Sequence, residues 1–220
     1  MKPYPTLGIL YISSYLKTKG FSVSIFDATF STKKEFRTFI EKEHPAVVGI
    51  YSNLMTKFNV VEQIRFCKQF NCTVVVGGPD VPKYAENYIS VGADIVVIGE
   101  GEETIAELLP VLQQSGIHQL HSINGIVFRD EAGKFIHTPS RQLIQNLDTL
   151  PFPDRDAIDV QRYVDTWRTH HGRGSVSLIC ARGCPYTCTW CSRSVFGETH
   201  RRRSAINVVN EIELLLEQYR

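Results

Sequence analysis

The strongest constraint on this chain is a regular alternation of helical segments with short apolar runs between residues 7 and 116. Residues 7–19 have helical spacing and stop at Gly20, a natural helix terminator. Residues 21–26 alternate apolar side chains with serine, as a half-buried strand does. The pattern then predicts helices over 33–43, 57–70, 84–90 and 102–114, and strands over 46–51, 73–76 and 94–98. Apolar strands of four to six residues separated by helices read as βαβ units with a parallel sheet. The expected fold is therefore α/β, a doubly wound domain over residues 1–116. In such a sheet ligands bind outside the carboxyl ends of the strands. The turns there are Ser52-Asn53-Leu54, Gly77-Gly78 and Gly99-Glu100-Gly101-Glu102. Glycine at these places either makes a plain turn or lets a bulky ligand approach the backbone closely. None of them is a Gly-x-Gly-x-x-Gly phosphate loop, so a nicotinamide site is not indicated.

Beyond this repeat, residues 125–129 and 135–137 flank a glycine-containing turn and read as a β-hairpin. Residues 139–174 carry Pro139, Pro151, Pro153, Gly172 and Gly174 and read as a linker with some ordered pieces. A strand is expected over 175–179 and an amphipathic helix over 205–219, with Ser204 placed as its N-cap. The expected domains are thus 1–116, a hairpin and linker over 117–174, and a further α/β element over 175–220.

Charge excludes some functions. Lys plus Arg number 24 and Asp plus Glu 23, a formal charge of +1, so neither an acidic solvating tail nor a strongly basic nucleic-acid binder is indicated. No run approaches the roughly 18 apolar residues needed to span a bilayer, and residues 7–16 lack a following cleavage site. The expectation is a soluble, cytoplasmic protein.

Cysteine placement carries the chemistry. Of Cys67, Cys72, Cys180, Cys184, Cys188 and Cys191, the last four fall between residues 180 and 191, which argues for a metal site rather than a disulfide scaffold. Cys67 and Cys72 read as small buried hydrophobes. The core spacing is Cys184-x3-Cys188-x2-Cys191 on a loop after a strand. Zinc sites favour paired Cys-x2-Cys units with four ligands, and a zinc knob would need Cys180 as the fourth. Saturated iron–sulfur clusters use four cysteines, whereas three leave one iron open for chemistry. Arg182, Arg193, Arg201, Arg202 and Arg203 surround the segment, either as a solvated basic face or as charge balance for anionic thiolates. The histidines His44, His118, His121 and His137 read as surface residues, and nothing fixes the geometry of His170, His171 or His200.

Cys184-x3-Cys188-x2-Cys191, with Trp190 before the last cysteine, resembles the radical S-adenosylmethionine (SAM) signature. The resemblance implies a 4Fe–4S cluster on Cys184, Cys188 and Cys191, with the amino and carboxylate groups of SAM on the open iron. One electron would then cleave SAM to methionine and a 5′-deoxyadenosyl radical. Trp190 would flank the adenosine or pack under the loop. The turns Ser52-x-Leu54, Gly77-Gly78 and Gly99-Glu100-Gly101, and the stretch 147–153, are similar to the flavodoxin-like domain of cobalamin-binding radical SAM proteins. The group includes the anaerobic magnesium-protoporphyrin ester cyclases and cobalamin-dependent methyltransferases. This implies that Ser52, Leu54, Gly77, Gly78, Gly99, Glu100 and Gly101 lie near a corrin. It further implies radical methyl transfer or cyclisation of a small-molecule substrate, with an electron donor such as flavodoxin or ferredoxin.

The chain departs from the family in two ways. Where the cobalamin motif Asp-x-His-x-x-Gly would align on Gly8, Pro3 and Pro5 stand, so any cobalamin is expected base-off without a histidine ligand. The family's first strand would precede residue 1, and residues 175–220 supply about one βα unit of its partial TIM barrel. The expectation is a truncated chain, inactive alone. The alternatives are a non-catalytic cobalamin or cluster-binding module and a zinc-stapled interaction domain.

Overall fold

The computed structural model describes residues 3–116, 119–191 and 195–219. The helices are α1 (Leu7–Thr18), α2 (Lys33–Glu43), α3 (Lys57–Lys68), α4 (Val81–Ser90), α5 (Gly101–Ser115), α6 (Val160–His171) and α7 (Ala205–Gln218). The strands are β1 (Val47–Tyr51), β2 (Thr73–Gly77), β3 (Ile95–Val97), β4 (Ile126–Arg129), β5 (Phe135–His137), β6 (Ala181–Gly183) and β7 (His200–Arg202). Contacts divide the chain into two compact units, and these follow the order of motifs only in part. One unit holds Lys33–Ile144 and Gly183–Thr199; the other holds Met1–Thr32, Gln145–Arg182 and His200–Arg220.

The first unit is built on a five-stranded sheet in the order β1-β2-β3-β4-β5. Strands β1, β2 and β3 are parallel, as the βα alternation requires. The hairpin β4–β5 joins antiparallel to β3, which makes the sheet mixed. On one face Val75, Ile95, Val97, Ile126 and Phe128 meet Leu108 of α5 together with Leu120 and Ile123. Each such buried side chain contributes about 1.5–3 kcal/mol before entropy is charged. Strand β1 forms one edge. Thr73 N donates to Ala46 O and Ser52 N to Gly77 O, so even-numbered residues of β1 face β2. By alternation Val47, Gly49 and Tyr51 turn their N–H and C=O groups to the open edge.

In the second unit, α1 buries Leu10, Tyr11 and Ser13. Ser13 Oγ donates to Asp154 Oδ2 at 2.5 Å, and Tyr163 Oη donates to Asp27 Oδ2 at 2.7 Å. Helix α6 was hidden inside the stretch that reads as a linker. Asp159 caps it by accepting from Arg162 N at 3.0 Å, and Gly172 closes it in the left-handed conformation. Helix α7 begins at Ser204 as expected, with Ser204 Oγ accepting from Asn207 N. Strands β6 and β7 form a two-stranded sheet.

Two strand expectations fail. Residues 21–26 keep an alternating exposure but form no strand, because no neighbouring ladder takes their backbone groups among the described residues. Residues 175–179 also form none. There, arginine side chains take carbonyls that a neighbouring strand would take: Arg155 Nη2 donates to Ser177 O and Arg203 Nη1 to Ile179 O. The strand of this region comes two residues later, as β6. Among the described residues, no helix is long and apolar enough to cross a membrane.

Candidate functional site

The carboxyl ends of β1, β2 and β3 gather at one edge of the sheet, where a parallel α/β fold binds ligands. Ser52 follows β1, but its side chain turns inward and is fully buried. Its hydroxyl lies 2.6 Å from Tyr88 Oη, which donates to Asp80 Oδ2 at 2.7 Å. Since the phenol proton goes to the carboxylate, Ser52 donates to the phenol oxygen. Leu54, by contrast, is exposed, as are Met55 on the same loop and Phe58 in the first turn of α3.

Burial pushes the Tyr88 phenol up to about 12, with the bond to Asp80 adding to the rise. A phenol raised above its ordinary value of 10 stabilises the fold below pH 10 and loses that contribution as pH rises toward 12. The Tyr88→Phe variant should therefore show a shallower fall of melting temperature than the parent across that alkaline window.

The two glycines closing β2 differ. Gly78 has φ +117°, and a Cβ there would lie 2.4 Å from Ser52 O, so it lets two strand ends approach. At Gly77 a Cβ would make only ordinary van der Waals contact, 4.0 Å from Val97 Cβ and Val97 O. Gly78→Ala should cost about 2 kcal/mol or more, combining left-handed strain with a backbone clash, whereas Gly77→Ala should cost under about 1 kcal/mol. Denaturant unfolding of both variants measures the contrast.

After β3, Gly99 has φ +88°, and a Cβ there would sit 3.7 Å from Val195 O. The segment following the cysteines thus packs beside the Gly99 turn, within one compact unit. Glu100 is buried. Its Oε2 accepts from Ile144 N at 2.8 Å and its backbone O from Thr104 Oγ1 at 3.1 Å. Its carboxylate therefore holds the end of the segment that follows the hairpin. Gly101 opens α5 and is half-buried.

The thiol loop rises from Gly183, whose φ is +83° and where a Cβ would lie 1.9 Å from Thr199 O. This contact closes the base of the loop. Cys184 is half-buried, Cys188 and Cys191 are exposed, and none is in a disulfide. Cys191 N donates to Cys188 O at 3.2 Å, a turn that sets the last two thiols on one short arc. Trp190 is 87% exposed, so it does not pack under the loop. Among the described residues no three His, Cys, Asp or Glu side chains converge as a group for one metal ion. The donor set fits a cluster in its chemistry: three free thiols, two exposed and one half-buried.

The arginines are not a solvated face. Arg182, Arg201 and Arg203 are buried, and of the group only Arg202 is exposed; Arg193 lies outside the described residues. In the second unit Glu211, 2% exposed, accepts from Arg155 Nη2 at 2.7 Å through Oε1 and from Arg203 Nη1 through Oε2. The guanidinium of Arg182 lies 5.3 Å from the ring centre of Tyr11, whose phenol is raised by burial and by Glu211. Sequence reasoning missed Asp80, Tyr88, Arg155 and Glu211. The available signal was a carboxylate four residues before Leu215 on the apolar face of α7.

Residues 2–109 match the B12 binding domain family. That stretch is similar to a B12-binding domain. Along 98% of its length the chain is similar to an uncharacterized methyltransferase of Pyrococcus horikoshii, at 32% identity over 46% of that protein. It is 28% identical to the anaerobic magnesium-protoporphyrin IX monomethyl ester cyclase of Rubrivivax gelatinosus, over 98% of this chain and 40% of the cyclase. The cobalamin-dependent S-adenosylmethionine radical enzyme OxsB, solved with aqua-cobalamin and S-adenosylmethionine bound, shares the fold with a TM-score of 0.76 at 22% identity. That superposition covers 98% of this chain and 29% of OxsB. The matched stretch and the segment after it resemble the cobalamin-binding radical SAM group, and the chain spans less than half the length of these relatives.

Proposed function

We propose that this chain is the cofactor-holding part of a cobalamin-dependent radical SAM enzyme acting on a small-molecule substrate. Cys184, Cys188 and Cys191 hold a 4Fe–4S cluster by three corners. The turns at Gly77 and Gly99, with the exposed Leu54, receive the corrin base-off, because Pro3 and Pro5 offer no imidazole. When bound, the cluster and SAM supply a carbon radical and cobalamin a transferable methyl group. The chain's own residues position these groups and shield them. Gly183 shuts the base of the thiol loop, Glu100 fixes the turn after β3, and the exposed Trp190 offers an aromatic face to the adenine.

The contact between the Gly99 turn and Val195 carries this reading. It sets the segment after the cysteines beside the ligand-binding edge of the sheet, so both cofactors would meet on one face of one unit. Methyl transfer to carbon or ring closure is the reaction class, with a flavodoxin or ferredoxin as electron donor.

Anaerobic reconstitution should load about four irons per chain and give a broad visible absorbance. Cys188→Ala should lose most of that iron, and full retention would defeat the assignment. Titration with hydroxocobalamin should give a base-off spectrum. Formation of 5′-deoxyadenosine under dithionite separates an enzyme from a binding module.

A further inference from the structure

The carboxyl edge of the sheet contains a buried polar circuit that the cofactor chemistry above leaves unused. Ser52, Asp80 and Tyr88 form it, and all three are buried within the unit that holds the sheet. Ser52 Oγ donates to Tyr88 Oη at 2.6 Å, and Tyr88 Oη donates to Asp80 Oδ2 at 2.7 Å. The Asp80 backbone N–H returns to Ser52 O at 3.5 Å, which closes the circuit. Ser52 N also donates to Gly77 O at 2.7 Å and Val81 N to Gly78 O at 3.3 Å, so the turn after β2 is tied to the same residues. Helix α4 depends on the circuit too. Tyr84 leaves helical geometry, with φ −127° and ψ 25°, which separates the first turn of α4 from the rest. The bond from Tyr88 to Asp80 spans that break.

We infer that Tyr88 is a positioning residue for the corrin edge, acting through Ser52. The inference rests on the reading that the turns after β1 and β2 receive a corrin. The loop after Ser52 is folded on itself by Asn53. Its Oδ1 accepts from Met55 N at 2.9 Å and from Thr56 N at 3.1 Å, and its backbone O accepts from Lys57 N at 3.1 Å. Wherever Ser52 is held, the exposed Leu54 and Met55 of that loop are therefore carried with it. Tyr88 holds Ser52 from α4, and Asp80 takes the phenol proton, so the phenol oxygen is left to accept from Ser52. Phenylalanine at this position fills the same space but leaves the Ser52 hydroxyl and the Asp80 carboxylate without their shared partner. Buried polar groups in that state shift to find another, and the turn shifts with them.

The test uses the whole chain, with Tyr88→Phe, Ser52→Ala and the double variant. The first measurement is amide exchange at Ser52, whose N–H is bonded to Gly77 O. It should speed up by roughly tenfold in Tyr88→Phe, while the amides of β4 and β5 stay as in the parent. The second is the Kd for hydroxocobalamin, titrated where every variant is fully folded. Tyr88→Phe should weaken binding by roughly tenfold, the worth of one buried hydrogen bond, and Ser52→Ala by a similar factor. The double variant should bind no worse than the weaker single one, because both substitutions release the same restraint. A purely structural role would lower the melting temperature and leave the Kd of the folded chain unchanged. Parent-like exchange at Ser52, a parent-like Kd, or losses that multiply in the double variant each overturn the positioning role. If the parent itself gives no spectral change with hydroxocobalamin, the corrin reading fails and the role falls with it; a binding parent with an equally tight Tyr88→Phe defeats the role alone. Should Tyr88→Phe fail to fold, Asp80→Asn weakens the same circuit by removing its charge, and the same two measurements read it.

Discussion

Glu211→Ala should destabilise the unit that holds α1, α6 and α7 by about 3–5 kcal/mol, the largest effect of any single substitution considered. The reason is the company Glu211 keeps. It is 2% exposed and is the shared acceptor of Arg155 and Arg203, which are themselves buried. Truncation strands two guanidinium charges away from water without the carboxylate that compensates them. Replacing all three residues by apolar ones of similar volume should cost far less, because no buried charge would be left alone. A denaturant series on the single and triple variants decides this. The expected order is parent above triple above single, and a single variant within about 1 kcal/mol of the parent would mean that water reaches the arginines.

Gly183→Ala is the second substitution expected to do severe damage, and its mechanism differs. The site has φ +83°, where a Cβ costs about 1–2 kcal/mol in most contexts. The added carbon would also lie 1.9 Å from Thr199 O, which is backbone and cannot swing aside as a side chain would. Relief requires the strand ends at Gly183 and Thr199 to part, so the base of the thiol loop opens. The expected result is a loss of about 3 kcal/mol or more, together with a fall in bound iron. Gly197→Ala is the control. It lies in the same stretch and has φ +62°, but its nearest neighbour is the flexible Leu143 side chain at 3.8 Å. Iron content should follow Gly183 and change little at Gly197.

The parallel core was legible because period and punctuation agreed. Lys33–Glu43 has the bounds that the residue pattern predicts, and α1 ends just before the glycine that closes it. The cysteine spacing and the glycine turns were readable for the same reason, since each is a local pattern. Three things were not local. Helix α6 carries Val160, Tyr163 and Val164 on a buried face with Asp159 and Gly172 at its ends, yet the prolines before it made the region read as linker. Residues 21–26 and 175–179 have strand-like composition, but a strand exists only with a neighbour, and composition does not reveal whether one is present. Arg203 is buried because Glu211 of α7 accepts from it while also accepting from Arg155, a pairing that charge counting does not reveal, so the arginines suggested a wet surface. At the ligand-binding edge, sequence located the turns but not which way their side chains point. Ser52 and Glu100 turn inward to bond the protein, and Leu54 turns out.

The two sides of the five-stranded sheet have unequal fates. Beyond β3 the short antiparallel hairpin β4–β5 finishes the ladder. On the opposite side, where no strand pairs with β1 among the described residues, Val47, Gly49 and Tyr51 turn a row of donors and acceptors away from β2 that an extended peptide can take. Crowded preparations should accordingly self-associate through that flank, and a lysine at Gly49 should keep them dispersed.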